Sequence, residues 1–217
     1  MLLLEDKILC YGSYNGRLKM PFENDQFTKD TIIKHFKRKN KNFTYDEATF
    51  ITIIQNSNSS KNDVYFSVLG LRDVGTRKCI PFLKQLIEYP MQDVKDCSIS
   101  SIAHIAGEDE TEFYVSVLER KGTRKDYPMW VIVEAANHQA IEAVIKYLES
   151  VYKKWRQPKC DYAGDAYLDG LIYLSKHLKM NENIIHIFDK FILIKDKMPE
   201  GVKEELKKES PYFSDKL

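Results

Sequence analysis

Apolar positions recur along most of this chain at the three-and-four spacing of helices buried on one face. From Asp63 onward the pattern is written three times. Each copy is an apolar-striped helix, a short break and a second apolar-striped helix. In the first copy Val64, Phe66 or Ser67, Val68, Leu71 and Val74 stripe one helix, and Cys79, Ile80, Leu83, Leu86 and Ile87 stripe the next. In the second, Val94, Ile99, Ile102, Ala103 and Ile105 precede Phe113, Tyr114, Val117 and Leu118. In the third, Trp130, Val131 and Val133 precede Ile141, Val144, Ile145, Leu148, Val151 and Tyr152, in a long helix that runs to Trp155. The breaks are Val74-Gly75-Thr76, Ala106-Gly107-Glu108 and Ala136-Asn137-His138. Gly107 follows Gly75 by 32 positions, and Asn137 follows Gly107 by 30. A fixed step of about 20–50 residues marks a stacked-repeat architecture.

The flanks repeat the theme more loosely. A helix over 25–39 carries Phe27, Ile32, Ile33 and Phe36, and ends in the basic run Lys34, Lys37, Arg38, Lys39 and Lys41. Cations there complement the helix dipole. Thr44 and Glu47 have the spacing of a capping box for a second helix with Ala48, Ile51 and either Ile54 or Ile53. Residues 56–62, rich in Asn and Ser, read as a linker. Before this pair, Asn15-Gly16 lies between two short apolar runs, which signals either a hairpin or an irregular cap. After the three repeats, residues 161–177 and 183–196 form a fourth pair, and Pro199 opens a last helix over 200–208. The expectation is an all-α fold in a single domain over 1–217. It comprises an N-terminal segment with a helix pair (1–62), three repeats (63–155), and a looser fourth pair with a C-terminal helix (156–217).

Composition narrows the function. The 217 residues include only 9 Gly and 7 Pro, too few for a many-stranded β fold. The net charge is +1, but it is unevenly spread. Residues 1–62 carry 10 basic and 7 acidic side chains, whereas residues 63–150 carry 10 and 14. An acidic repeat core repels a phosphate backbone and favours a basic partner, so nucleic acid is disfavoured there. Cys10, Cys79, Cys97 and Cys160 form no paired motif, which suits a reducing, cytoplasmic setting. The start Met1-Leu2-Leu3-Leu4 is too short for a signal sequence, and no run approaches the length of a membrane span.

No phosphate-cradling glycine loop, nucleophile elbow or metal-ligand spacing occurs, and His35, His104, His138, His177 and His186 are scattered. Neither a catalytic residue nor a cofactor is expected. Two acidic features stand out. Glu108, Asp109, Glu110 and Glu112 crowd the start of one helix, more carboxylates than a cap needs. Asp161, Asp165 and Asp169 recur every four residues, with Tyr162, Tyr167 and Tyr173 interleaved. On a helix these aspartates form one stripe, whose mutual repulsion a basic partner relieves. Trp130 and Glu134, four apart, share a helix face.

The run from Leu71 to Leu86, with its Gly75 turn and Cys79-Ile80-Pro81, resembles the short bacterial type of HEAT repeat. So does Ala135-Ala136-Asn137-His138-Gln139-Ala140-Ile141. The resemblance covers residues 63–150 well and the fourth pair loosely. It implies a right-handed α-solenoid whose second helices line a binding face, and a scaffold role without chemistry. Small HEAT-like chains of this kind include immunity proteins of bacterial toxin systems such as contact-dependent growth inhibition. They cover a toxin, often a basic nuclease. The candidate partner-binding residues are then Glu108, Asp109, Glu110, Glu112, Trp130, Glu134, Asp161, Tyr162, Asp165, Tyr167, Asp169 and Tyr173. The alternative within the same resemblance is a HEAT-like DNA glycosylase acting on alkylated bases. It would use Trp130, Glu134 and Trp155-Arg156, although that family has Asp where this chain has Glu. A general scaffold protein is the remaining alternative.

Overall fold

A computed structural model describes residues 12–14, 17–19, 26–157 and 166–217. Regular structure among the described residues is helical apart from two three-residue strands. The strands β1 (Gly12–Tyr14) and β2 (Arg17–Lys19) pair antiparallel, with Gly12 opposite Lys19. The chain divides into two compact units, Met1–Gly107 and Glu108–Leu217.

In the first unit the helices are α1 (Gln26–Lys37), α2 (Glu47–Gln55), α3 (Lys61–Val74), α4 (Ile80–Gln85) and α5 (Gln92–Ala106). Helix α3 is central and packs against α1, α2 and α5. That placement buries every residue from Val64 to Arg72, not one stripe alone. Helix α5 is similar, with Ser98, Ser100 and Ser101 buried among its apolar residues. Their hydroxyls are satisfied by backbone carbonyls. Ser98 donates to Val94 at 2.7 Å and Ser100 to Cys97 at 3.3 Å, while Ser101 reaches across to Val68 of α3 at 3.3 Å. These three hydroxyls of α5 therefore enter the core with their own hydrogen bonds met.

The caps differ in detail from the sequence reading. Thr44 does not cap α2 with Glu47. The N-cap is Asp46, whose carboxylate accepts from the Thr49 N–H at 2.8 Å, while the Thr44 hydroxyl pairs with that of Thr49. Glu47 instead accepts the backbone N–H and the hydroxyl of Thr76, at 2.7 and 2.8 Å, and so ties α2 to the turn before α4. A complete capping box sits at Ser60 and Asp63, which starts α3 at Lys61, inside the expected linker. Pro81 occupies the first turn of α4, where its missing N–H does no harm. Cys79 and Cys97 are free thiols in the core; burial, then Glu47, pushes Cys79 up to about 12. Cys10 and Cys160 lie outside the described residues.

Asp63 also accepts from His35 and Lys39, each at 2.7 Å. Burial pushes its carboxyl up, but Lys39, Ser60 and His35 together outweigh that and hold it well below the usual carboxylate range. A carboxyl depressed in the folded state stabilises above its unfolded pKa, near 4, and that stabilisation is lost as pH falls further. Replacing Asp63 with Asn is expected to remove about 1–2 kcal/mol at neutral pH. Urea titrations at falling pH should show this difference vanishing in strong acid.

In the second unit the helices are α6 (Thr111–Glu119), α7 (Asp126–Ala135), α8 (Ile141–Trp155), α9 (Ala166–Lys176), α10 (Asn183–Ile192) and α11 (Glu200–Glu209). Helix α7 packs on α6 and α9, and α8 packs on α6, α9 and α10. The outer helices are stitched together by charge. Lys146 of α8 meets Glu119 of α6 at 2.7 Å, and Lys190 of α10 meets Glu149 of α8 at 3.0 Å. Asn181, just before α10, donates to Glu142 at 2.5 Å. Exposed pairs of this kind add about 0–1 kcal/mol each, so they set register more than stability. Among the described residues, no helix is long and apolar enough to cross a membrane.

Candidate functional site

The acidic turn that the sequence singled out opens the second unit. The Gly107–Glu110 turn of 3-10 helix leads straight into α6. Glu108, Asp109 and Glu112 are exposed, and Glu110 is half-buried. Gly107 has φ of +55°, a left-handed backbone that suits glycine at this break. What fixes the turn is Thr111, buried at the start of α6. Its hydroxyl donates to the Glu108 carbonyl at 2.7 Å and accepts the Asn137 N–H at 3.1 Å. Asn137 belongs to the next turn, between α7 and α8, where its side chain accepts the Gln139 N–H at 3.0 Å. The Asn137 carbonyl accepts from the Tyr173 hydroxyl of α9. A hydrogen-bonded ladder thus runs through three successive elements and holds the acidic turn against a fixed edge of the unit.

The same edge carries further charge. Glu134 is exposed in the last turn of α7. Lys176 of α9 donates to the Val133 carbonyl at 3.2 Å, completing the end of α7. His177 packs at a tilt against Tyr173 with ring centroids 4.6 Å apart, and burial, then His138 and Lys176, lowers its pKa. At the far end of α6, Lys125 donates to the carbonyls of Leu118 (2.6 Å) and Arg120, a cation on a helix C-terminus. Burial lowers the pKa of that lysine. Tyr114 is pushed up by burial, then by Glu110 and Asp109, so the turn's negative field reaches into the core.

The acidic features are not all brought together. Asp169 is half-buried near the start of α9. With Asp126, at the start of α7, it adds to the burial that pushes Tyr147 of α8 up. Asp126 and Glu134 stand at opposite ends of α7, about 12 Å apart at 1.5 Å per residue. The Glu108–Glu112 turn and Glu134 therefore share one edge, and Asp169 lies toward the other. Asp161, Tyr162 and Asp165 lie outside the described residues.

Two tyrosines expected to face a partner do not. Tyr167 is fully buried, stacked on Phe191 and packed against Trp155. Tyr173 is buried with its hydroxyl spent on Asn137. The reason is that α9 is an inner helix enclosed by α7, α8, α10 and α11, so both aromatics fill core space. Trp155, considered as a second binding aromatic, is likewise 1% exposed. Trp130 is half-buried and meets Tyr127 edge-on at 5.8 Å. Sequence reasoning missed Thr111 and Asn137 as the residues that set the turn; nothing in a local pattern pairs positions 26 apart. Among the described residues, no group of three or more His, Cys, Asp or Glu is arranged to hold a metal ion. No family model, curated protein or solved structure matches the chain.

Proposed function

We propose that the chain is a protein-binding module built of HEAT-like helix pairs, and that it acts as an immunity protein, neutralising a basic bacterial toxin domain in the cytoplasm. The observation that carries the reading is the acidic turn. Carboxylates of Glu108, Asp109 and Glu112 are exposed at one edge, on a turn fixed by the Thr111–Asn137–Tyr173 ladder. Charge held on rigid elements steers a basic partner and loses little entropy on docking. The repeat reading is supported by the packing order inside each unit, where helices pack on the next helix and the next but one. That is the nearest-neighbour logic of stacked repeats. Glu134 extends the acidic edge, and Trp130 beside it offers a half-buried aromatic rim of the kind enriched at interfaces.

Co-expression with a toxin-like product, should a neighbouring gene encode one, tests this directly. Wild-type chain is expected to restore growth. The variant Glu108→Gln, Asp109→Asn, Glu110→Gln, Glu112→Gln is expected to protect poorly while folding normally by circular dichroism. Protection by both to the same extent would remove the turn from the interface. Excision of alkylated bases by the wild type, lost in Glu134→Gln, would replace the binding reading with the glycosylase one.

A further inference from the structure

The end of α1 carries a positive charge that no carboxylate among the described residues neutralises. Lys34 and Lys37 on its last turn, and Arg38 and Lys41 just after it, are all exposed. Among the described residues no ion pair engages any of the four. The nearby carboxylate, Asp63, is already shared by His35 and Lys39. Asp30, one turn earlier, is exposed and accepts from the Gln26 amide at 2.7 Å. A helix C-terminus supplies about half a negative charge, too little for four cations. The opposite side of α1 is anchored in the core through Thr28, Ile32 and Phe36, so the cationic side is held outward on a fixed helix.

We propose that this face binds the phosphate backbone of a nucleic acid. Three lysines and an arginine, flanked by exposed Asn40 and Asn42, match the residue types that contact phosphate and sugar. Lysine is depleted in protein–protein interfaces, which centre on aromatic anchors. A bilayer surface calls for apolar groups beside the cations. The one large apolar side chain exposed on α1 is Phe27, seven residues and about 10 Å from Lys34. The proposal concerns the first unit and is independent of the acidic edge on the second.

Fluorescence anisotropy with labelled duplex DNA and single-stranded RNA, over a series of salt concentrations, tests it. Neutralising four phosphates gives a log–log salt slope of about −3 to −4. The variant K34E/K37E/R38E/K41E should bind at least about tenfold more weakly and lose most of that slope. The control K121E/K153E/K154E/K179E makes the same change in net charge on the second unit and should bind as the wild type does. Circular dichroism melting confirms that both variants fold. The proposal is overturned if the wild type fails to bind, or if both variants weaken equally. Equal affinity of the wild type for polyglutamate or for phosphatidylserine-containing vesicles would overturn it as well.

Discussion

Replacing Trp155 with alanine is expected to remove about 3–5 kcal/mol of stability, read as a lower urea midpoint with little change in slope. Trp155 ends α8 and is 1% exposed, despite lying at a helix terminus. Its ring meets Tyr167 of α9 edge-on at 4.5 Å and Phe191 of α10 at 6.3 Å, and those two rings stack on each other at 5.9 Å. Three helices therefore converge on one aromatic cluster, and truncation leaves a cavity that none can close alone. The carbonyls of Trp155 and Gln157 accept from Lys197, which fixes the helix end around the ring. Trp155→Phe should retain most of the packing and lose about half as much. Trp130→Ala, at a half-buried position edge-on to Tyr127, should lose about 1–2 kcal/mol. Equal losses at the two tryptophans would contradict the placement of Trp155 at the convergence of α8, α9 and α10.

The second large effect is expected at Gly70, in the middle of α3. Alanine favours a helix over glycine by about 1 kcal/mol, so on propensity alone Gly70→Ala stabilises. The structure predicts the opposite. A Cβ at Gly70 would stand 2.3 Å from two carbon atoms of the Phe50 ring. That ring is fully buried, with Phe36, Phe43 and Tyr45 around it at centroid distances of 6.1, 5.8 and 5.0 Å. It has little room to turn aside. Overpacking of this kind removes about 1–3 kcal/mol after the propensity gain, and Gly70→Leu more. A double-mutant cycle isolates the cause, because Gly70→Ala in a Phe50→Leu background should be far less harmful than in the wild type. Additive losses would show that the glycine serves something other than close approach of α2 and α3.

The helices themselves were legible because their apolar positions repeat, and the Gly75, Gly107 and Asn137 breaks fall where the helices end. What the pattern hid is how completely some helices are enclosed. Ser98, Ser100 and Ser101 count as polar in a period reading, yet all are buried. Tyr167 and Tyr173 were read with the aspartates around them, because tyrosine has an apolar body and a polar tip. The outcome depended on α9 lying between its neighbours. Gly170 records that enclosure, since a Cβ there would stand 3.3 Å from Leu148 of α8. Long-range caps were illegible for a related reason. Glu47 has the local spacing of a capping box, but its carboxylate is used 29 residues away at Thr76. The acidic turn was legible as composition, whereas its fixation by Thr111, Asn137 and Tyr173 needed three dimensions.

The association rate with the basic toxin domain proposed as its partner, measured by stopped flow across ionic strength, tests the central claim most directly. Electrostatic steering predicts a wild-type rate that falls steeply with salt. With Glu108, Asp109, Glu110 and Glu112 neutralised, the rate at low salt should be about tenfold slower and nearly flat with salt. Rates that coincide for wild type and variant at every salt concentration would contradict docking through the acidic turn.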